Sequence, residues 1–488
     1  MFRFLYSLII SLAAFFTNDD VVVQTKYGKI QGVQTSKSRA FLGVPYAEPP
    51  IGEMRWRPPE HPSSWSGILD ATAVKAGCYQ LACASMNPPI LCPKQVSEDC
   101  LYLNIWTPVN ASAESRLPVM VFLHGGNFVH LSGGSLLFRG EDFVSKGQVI
   151  LVNVDYRLGA FGFLVTGDKA EDAKGNYGIK DQRMALQWVQ ENIKAFGGDP
   201  TKVTLFGQSA GAQSTAVHLS NGKANGLFRN AIVESAPFDI RYKVKEEVLL
   251  LGDFIAEFVN CTGADITCLR TRPAADIALA EHEVRSVITS PFLLELFEPI
   301  GPWIDGDEVK MEPIDSAHKG QFQNIPILMG TLSEETRIFV YEAWKKPLRL
   351  QTYLGIVLLA DPKKSLQILD KYPPNKSTDC RDTLQELATD LIFTCTARNV
   401  TRSLQTFGHS SLYLYIFDHA FSFKGAWSNF TFCEGHVCHG SDLPFVFHTP
   451  HIAGYHLSPD EEQLSTELIS YWSNFAYTFK SKCRASYY

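Results

Sequence analysis

Apolar residues along this chain fall into two patterns. Residues 118–123, 149–154, 203–206, 231–233, 325–329 and 412–417 are short, nearly unbroken apolar runs. Runs of that length predict strands buried on both faces. Between them lie stretches with helical spacing. The clearest covers residues 181–196, where Ala185, Trp188, Val189, Ile193 and Phe196 share one face and Gly197-Gly198, then Pro200, stop the helix. A second begins at Ser458-Pro459-Asp460-Glu461, which reads as a capping box with proline at the first helical position. Its stripe is Leu464, Leu468, Trp472, Phe475 and Phe479. The alternation predicts an α/β fold with a mostly parallel central sheet and helices on both faces. Ligand chemistry in such folds gathers at the C-terminal ends of the strands.

The first residues follow a different pattern. Arg3 precedes the apolar run 4–16, and Thr17-Asn18-Asp19-Asp20 follows it. A positive start, a short apolar core and a polar exit describe a secretory signal peptide, expected to occupy residues 1–18 with Ser11-Leu12-Ala13 as the best small-x-small cleavage candidate. The run is shorter than the roughly 20 residues needed to span a bilayer, and no later segment has the length of a membrane helix. Neither repeats nor low-complexity linkers divide the remainder, so residues 19–488 are expected to form a single α/β domain.

Composition narrows the function classes. The chain is 45% hydrophobic and 19% charged, as in ordinary globular proteins. A net charge of −7 without a basic cluster argues against nucleic acid as a partner. Eleven cysteines include the group Cys78, Cys83, Cys92 and Cys100 and the close pairs Cys261/Cys268 and Cys433/Cys438. Such clustering suits disulfides in an oxidising compartment. Cys380, Cys395 and Cys483 remain. Sequons begin at Asn110, Asn260, Asn375, Asn399 and Asn429, so a glycoprotein that is secreted or held in a secretory-vesicle lumen is expected.

The chemistry centres on Gly207-Gln208-Ser209-Ala210-Gly211, which lies between a β-rich run and a helix-compatible one. A serine in that setting sits in a tight turn, its hydroxyl presented at the top of a sheet, while the glycines let strand and helix approach. A serine nucleophile needs a base, an orienting acid and oxyanion donors. His124-Gly125-Gly126-Asn127-Phe128 follows an early strand and can aim backbone N–H groups at one point, with Ala210 N–H completing the set. His124 itself reads as a loop-shaping residue. If the order is serine, acid, histidine, the base comes late. His439, in a Gly-flanked polar turn, is the strongest candidate, and Glu334-Glu335 stands at the expected place for the acid. A zinc site built from Cys433, His436, Cys438 and His439 competes for the same segment, although its spacing is denser than usual.

Taken together, these residues resemble the type-B carboxylesterases, the group that includes cholinesterases. The resemblance covers almost the whole chain. It rests on Ala47-Glu48-Pro49-Pro50-Ile51-Gly52 with Arg55-Trp56, on Ser97-Glu98-Asp99-Cys100 through Trp106, on the His-Gly-Gly turn, and on Gly175-Asn176-Tyr177-Gly178 through Gly211. It implies an α/β-hydrolase fold with Ser209 as nucleophile, Glu335 as acid and His439 as base. An oxyanion hole from the backbone of Gly126, Asn127 and Ala210 is implied too, together with Ser235 as a buried supporting serine. Disulfides Cys78–Cys100 and Cys261–Cys268 carry over by position, and Cys83–Cys92 is a plausible inner bridge.

Four features depart from the family pattern. Gln208 replaces a glutamate, Asn127 stands where a third glycine is common, Thr336 follows Glu335 where glycine is frequent, and the chain ends soon after its last helix. None removes a catalytic group. The implied activity is carboxylic-ester hydrolysis on a small-molecule substrate, without metal or organic cofactor. Neutral esters are expected to be preferred over choline esters, because the family's choline site uses a tryptophan in the loop closed by the first bridge and residues 78–100 contain none. The alternative is a catalytically idle adhesion or storage protein on the same fold. Oligomeric state is left open.

Overall fold

The computed structural model describes residues 21–287, 298–374 and 379–480. The predicted signal segment and Cys483 lie outside the described residues. In chain order the strands are β1 (Val21–Gln24), β2 (Lys29–Gln34), β3 (Ser38–Pro45), β4 (Ile68–Asp70), β5 (Gly77–Cys78), β6 (Val96–Ser97), β7 (Tyr102–Pro108), β8 (Leu117–Leu123), β9 (Ile150–Val154), β10 (Gly198–Gln208), β11 (Asn230–Glu234), β12 (Ile327–Leu332) and β13 (Leu412–Phe417). The central sheet runs β1-β2-β3-β7-β9-β8-β10-β11-β12-β13, with β4 beside β2. From β9 to β13 every pairing is parallel, whereas β1, β2, β3, β7 and β9 pair antiparallel in sequence. The sheet is therefore largely parallel with an antiparallel wing, and helices surround it.

Alternate residues of each central strand feed separate cores. On one face Val119, Val121, Val152, Leu205 and Val233 pack with Trp188, Val189 and Ile193. On the other, Met120, Phe122, Leu151, Phe206 and Ile232 pack with Trp472 and Phe475. Both faces are covered, which is why these strands read as unbroken apolar runs.

Two expectations are corrected. Strand β13 is not buried on both faces: Leu414 and Ile416 are 48% and 63% exposed. It is the last strand of the parallel wing, and only Tyr413 and Tyr415 turn to the helix Pro459–Thr478, against Phe475 and Trp472. The helix predicted for 181–196 starts earlier, as Tyr177–Asn192, and tightens into a 3-10 turn at Ile193–Phe196. Its start is set by a tertiary contact. Asn176 is left-handed, with φ 52°, and its Nδ2 donates to Trp303 O and Asp305 Oδ2. The capping box at Ser458 forms in full: Glu461 N donates to Ser458 Oγ, and Ser458 N to Glu461 Oε2.

Disulfides join Cys78–Cys100, Cys83–Cys92, Cys261–Cys268 and Cys433–Cys438. Among the described residues, Cys380 and Cys395 lie outside these disulfides, the first buried and the second exposed. Among the described residues no helix is long and apolar enough to cross a membrane.

Candidate active site

Ser209 sits between β10 and the helix Ala210–Ser220 with φ 58° and ψ −123°. That backbone region is strained for a residue with a side chain and persists only where its surroundings hold it. Here Ser209 N donates to Glu234 O at 2.9 Å, and its carbonyl accepts from Ala212 N and Gln213 N. The flanking glycines are sterically required. A Cβ on Gly207 would lie 2.4 Å from Gly211 O, and one on Gly211 only 1.9 Å from Leu123 O. Either would push the helix off the sheet.

The glycine turn after β8 rests against this serine. A Cβ on Gly125 would come within 2.9 Å of Ser209 Cβ, and Gly126, Asn127 and Phe128 all have positive φ. Among the described residues, no acceptor is matched to the backbone N–H of Gly126, Asn127 or Ala210. His124 is buried, donates from Nδ1 to Gly125 O at 2.8 Å, and stacks on Tyr156 at 4.5 Å. Burial lowers its pKa to about 4, so it stays neutral and shapes the loop.

The acid and the base come from loops far apart in sequence. Glu335, beyond the end of β12, is fully buried; its Oε1 accepts from Leu332 N at 2.8 Å, and its Oε2 lies 2.5 Å from His439 Nδ1. The imidazole is flanked by the rings of Phe339 and Phe393, each 5.4 Å away. With Nδ1–H directed to the carboxylate, Nε2 is the acceptor. Its contact in this structure is Gln208 Nε2, at 3.0 Å. The structure records no hydrogen bond between Ser209 and His439, although both line one cavity of about 430 Å³. In the sequence Gln208 stands out only as a neutral residue where a glutamate is usual. Its contact with the imidazole depends on a side-chain orientation that no local pattern encodes.

Glu334 turns the other way. Its carboxylate accepts from His436 Nδ1 at 2.9 Å and Val437 N at 2.8 Å, and pairs with Arg337. A backbone bridge from Glu334 to Cys438 fixes the loop that carries His439. Because Cys433 and Cys438 form a disulfide, neither supplies a thiolate, and the zinc reading loses two of its ligands.

Behind Glu335 lies a buried acidic group that sequence reasoning missed. Ser235 is fully buried at φ 53°, and its Oγ has no hydrogen-bond partner among the described residues. Both carboxylate oxygens of Asp442 are in the same state. Burial, reinforced by Glu335, pushes the Asp442 carboxyl up to about 7. Glu234 accepts from Trp472 Nε1 at 2.5 Å, and burial together with Asp442 raises its pKa well above the usual carboxylate range. The available signal was adjacency: Glu234 precedes Ser235, and Asp442 lies three residues beyond His439.

Space opens on two sides of Ser209. The larger cavity also carries His439, Gln208, Trp427, Phe430 and Glu342. The other side is walled mainly by apolar residues, among them Ile240, Phe339, Val340, Trp344 and Phe393, with Asn127 at its mouth beside Ser209. Glu298 also faces it, accepting from Gln213 Nε2 at 3.0 Å, and burial raises its pKa to about 7. Thr336 belongs to the same wall. Its N–H is bonded to Thr389 Oγ1 and its hydroxyl donates to Gln385 O, which ties the segment after Glu335 to the helix Arg381–Thr389.

This geometry has parallels among known proteins. The chain is 36% identical to a Dictyostelium discoideum protein named crystal protein, over 92% of this chain and 80% of that one. It is 33% identical to the cAMP-regulated D2 protein of the same organism, over 94% and 84%. A solved PNB esterase structure superposes with a TM-score of 0.81 at 31% identity, covering 94% of this chain and 91% of its own. The model of the carboxylesterase family matches residues 19–484. The architecture is that of an α/β-hydrolase, and the chain belongs to the carboxylesterase family.

Proposed function

We propose that this carboxylesterase-family protein is a secreted serine ester hydrolase with Ser209 as nucleophile, His439 as base and Glu335 as the acid that orients the base. One observation carries the reading. The Glu335–His439 pair, at 2.5 Å, opens onto the same cavity as a serine held at φ 58°. Ser209 Oγ attacks the ester carbonyl as His439 Nε2 accepts its proton, so the Gln208 amide must yield its place to the hydroxyl. The backbone N–H groups of Gly126, Asn127 and Ala210 receive the developing oxyanion. His439 then returns the proton to the leaving alcohol, which places the alcohol in the larger cavity and the acyl group on the apolar side. Water, activated by the same imidazole, releases the acyl-enzyme. These steps need no metal or organic cofactor. Ser235, with Asp442, backs Glu335 from the interior.

The same proposal takes residues 1–18 as the signal peptide and 19–488 as one domain, exported to the secretory pathway; the four disulfides favour that compartment. A second reading, an idle adhesion or storage protein, draws support from Gln208 occupying the base nitrogen.

A fluorophosphonate probe separates the two. It should label Ser209, and Ser209→Ala should abolish both labelling and ester turnover, a loss of several orders of magnitude. A native protein that takes up no probe and cleaves no ester leaves only the idle reading.

A further inference from the structure

The helix Leu350–Ala360 is apolar almost all the way round, yet only Tyr353 and Val357 are buried. A helix of that composition normally lies inside a protein. Here Leu350, Leu354 and Leu358 follow one another at four-residue spacing and are 44%, 37% and 55% exposed. Leu359 and, on the neighbouring helix Ser365–Lys371, Leu366 are more than three-quarters exposed, at 80% and 82%. Contiguous exposed leucines of this kind mark an interaction surface.

The surrounding charge identifies the partner. Residues 345–371 hold Lys345, Lys346, Arg349, Lys363, Lys364 and Lys371 against only Asp361 and Asp370, in a chain whose net charge is −7. Three of these lysines reach carboxylates, Lys345 to Glu342 at 3.8 Å, Lys364 to Asp361 at 3.6 Å and Lys371 to Asp390 at 3.4 Å. All three are largely solvent-exposed, and such pairs hold their cations weakly. Exposed leucine-rich helices flanked in sequence by basic residues fit the headgroup and acyl boundary of an anionic membrane. A second copy of the chain fits poorly, because it would bring two sets of these basic residues together.

We propose that this helix pair docks the protein on an anionic phospholipid bilayer. The surface stands over the candidate active site. Tyr353 and Val357 pack in one cluster with Val340 and Leu384, and those two line the apolar pocket beside Ser209. Docking does not depend on the catalytic reading; delivery of membrane-borne esters to Ser209 does.

Flotation of the full-length secreted protein with vesicles tests the docking directly. Vesicles of phosphatidylcholine with about 30 mol% phosphatidylserine should carry the protein upward, pure phosphatidylcholine vesicles should not, and about 0.5 M salt should weaken the association. Replacing Leu354, Leu358, Leu359 and Leu366 together by glutamine should cut partitioning roughly tenfold or more, as should Lys345→Glu with Lys346→Glu, Lys363→Glu and Lys364→Glu. Hydrogen exchange of the unaltered protein should show residues 350–371 protected when vesicles are added, a readout that needs no variant. The proposal is overturned if the native protein does not float, if the leucine variant floats equally well, or if light scattering shows a native dimer that the leucine variant dissolves.

Discussion

Glu334 and Glu335 are neighbours in sequence but serve different histidines, His436 and His439. The first carboxylate is partly exposed and holds a loop; the second is fully buried and faces the imidazole of the candidate base. Glu335→Gln keeps the shape but removes the charge that stabilises an imidazolium, so kcat should fall by roughly 10³–10⁴-fold. Glu334→Gln should cost less than about tenfold, because Val437 N and Arg337 still restrain the loop. Steady-state ester hydrolysis by the two purified variants checks this, and similar rates for both would place the acid elsewhere. Local sequence identified Ser209 and the Gly125–Gly126 turn because each lies at the end of a readable strand. It could not choose between the two glutamates, nor join Glu335 to His439, 104 residues away; the family resemblance supplied that. The contact of Gln208 with the imidazole and the closeness of Glu234 to Asp442 had at most an adjacency signal, since each brings together segments far apart in sequence.

At the scale of elements, the contact between β10 and the helix Ala210–Ser220 depends on the absence of a side chain. Gly211→Ala would place a Cβ against the Leu123 carbonyl, a rigid neighbour, and should destabilise by about 1–3 kcal/mol or prevent secretion. Gly355→Ala is the contrasting case, in an exposed helix with nothing within 4 Å. It should be neutral or stabilise by roughly 0.5–1 kcal/mol, because glycine weakens helices. Thermal unfolding of both variants should separate them in sign. The parallel strands were legible because burial on both faces leaves continuous apolar runs. The antiparallel wing was not. Strands β1 and β2 mix buried and exposed positions, and the β3–β7 pairing shifts register between Leu42 and Val44, so no clean period survives.

For the molecule as a whole, substrate choice follows from what surrounds the leaving group. The Cys78–Cys100 loop offers no tryptophan, and Gln208 is neutral where a carboxylate is usual. Trp427 and Glu342 do reach the same cavity from other segments. A cation–π contact contributes roughly 0.5–2 kcal/mol, so the two arrangements differ measurably. With the usual loop contact missing, a short-chain neutral ester should show the higher kcat/KM when compared with the choline ester of the same acid. A tenfold advantage for choline would instead assign the cation to Trp427 and Glu342.

The disulfide beside the candidate base has a further consequence. Cys438 immediately precedes His439, and its bond to Cys433 closes a small ring that ends just before the imidazole-bearing residue. Neither a helix nor a strand carries that histidine; its loop is held by a backbone bridge to Glu334, by the Glu334 carboxylate and by this covalent link. On the proposed reading, a copy of this chain kept among reducing thiols would build its sheet and its elbow yet hold its proton acceptor loosely. On the same reading, export would do more than deliver the protein: oxidation along the route would be the maturation event that arms it, and copies still inside the cytosol would stay silent.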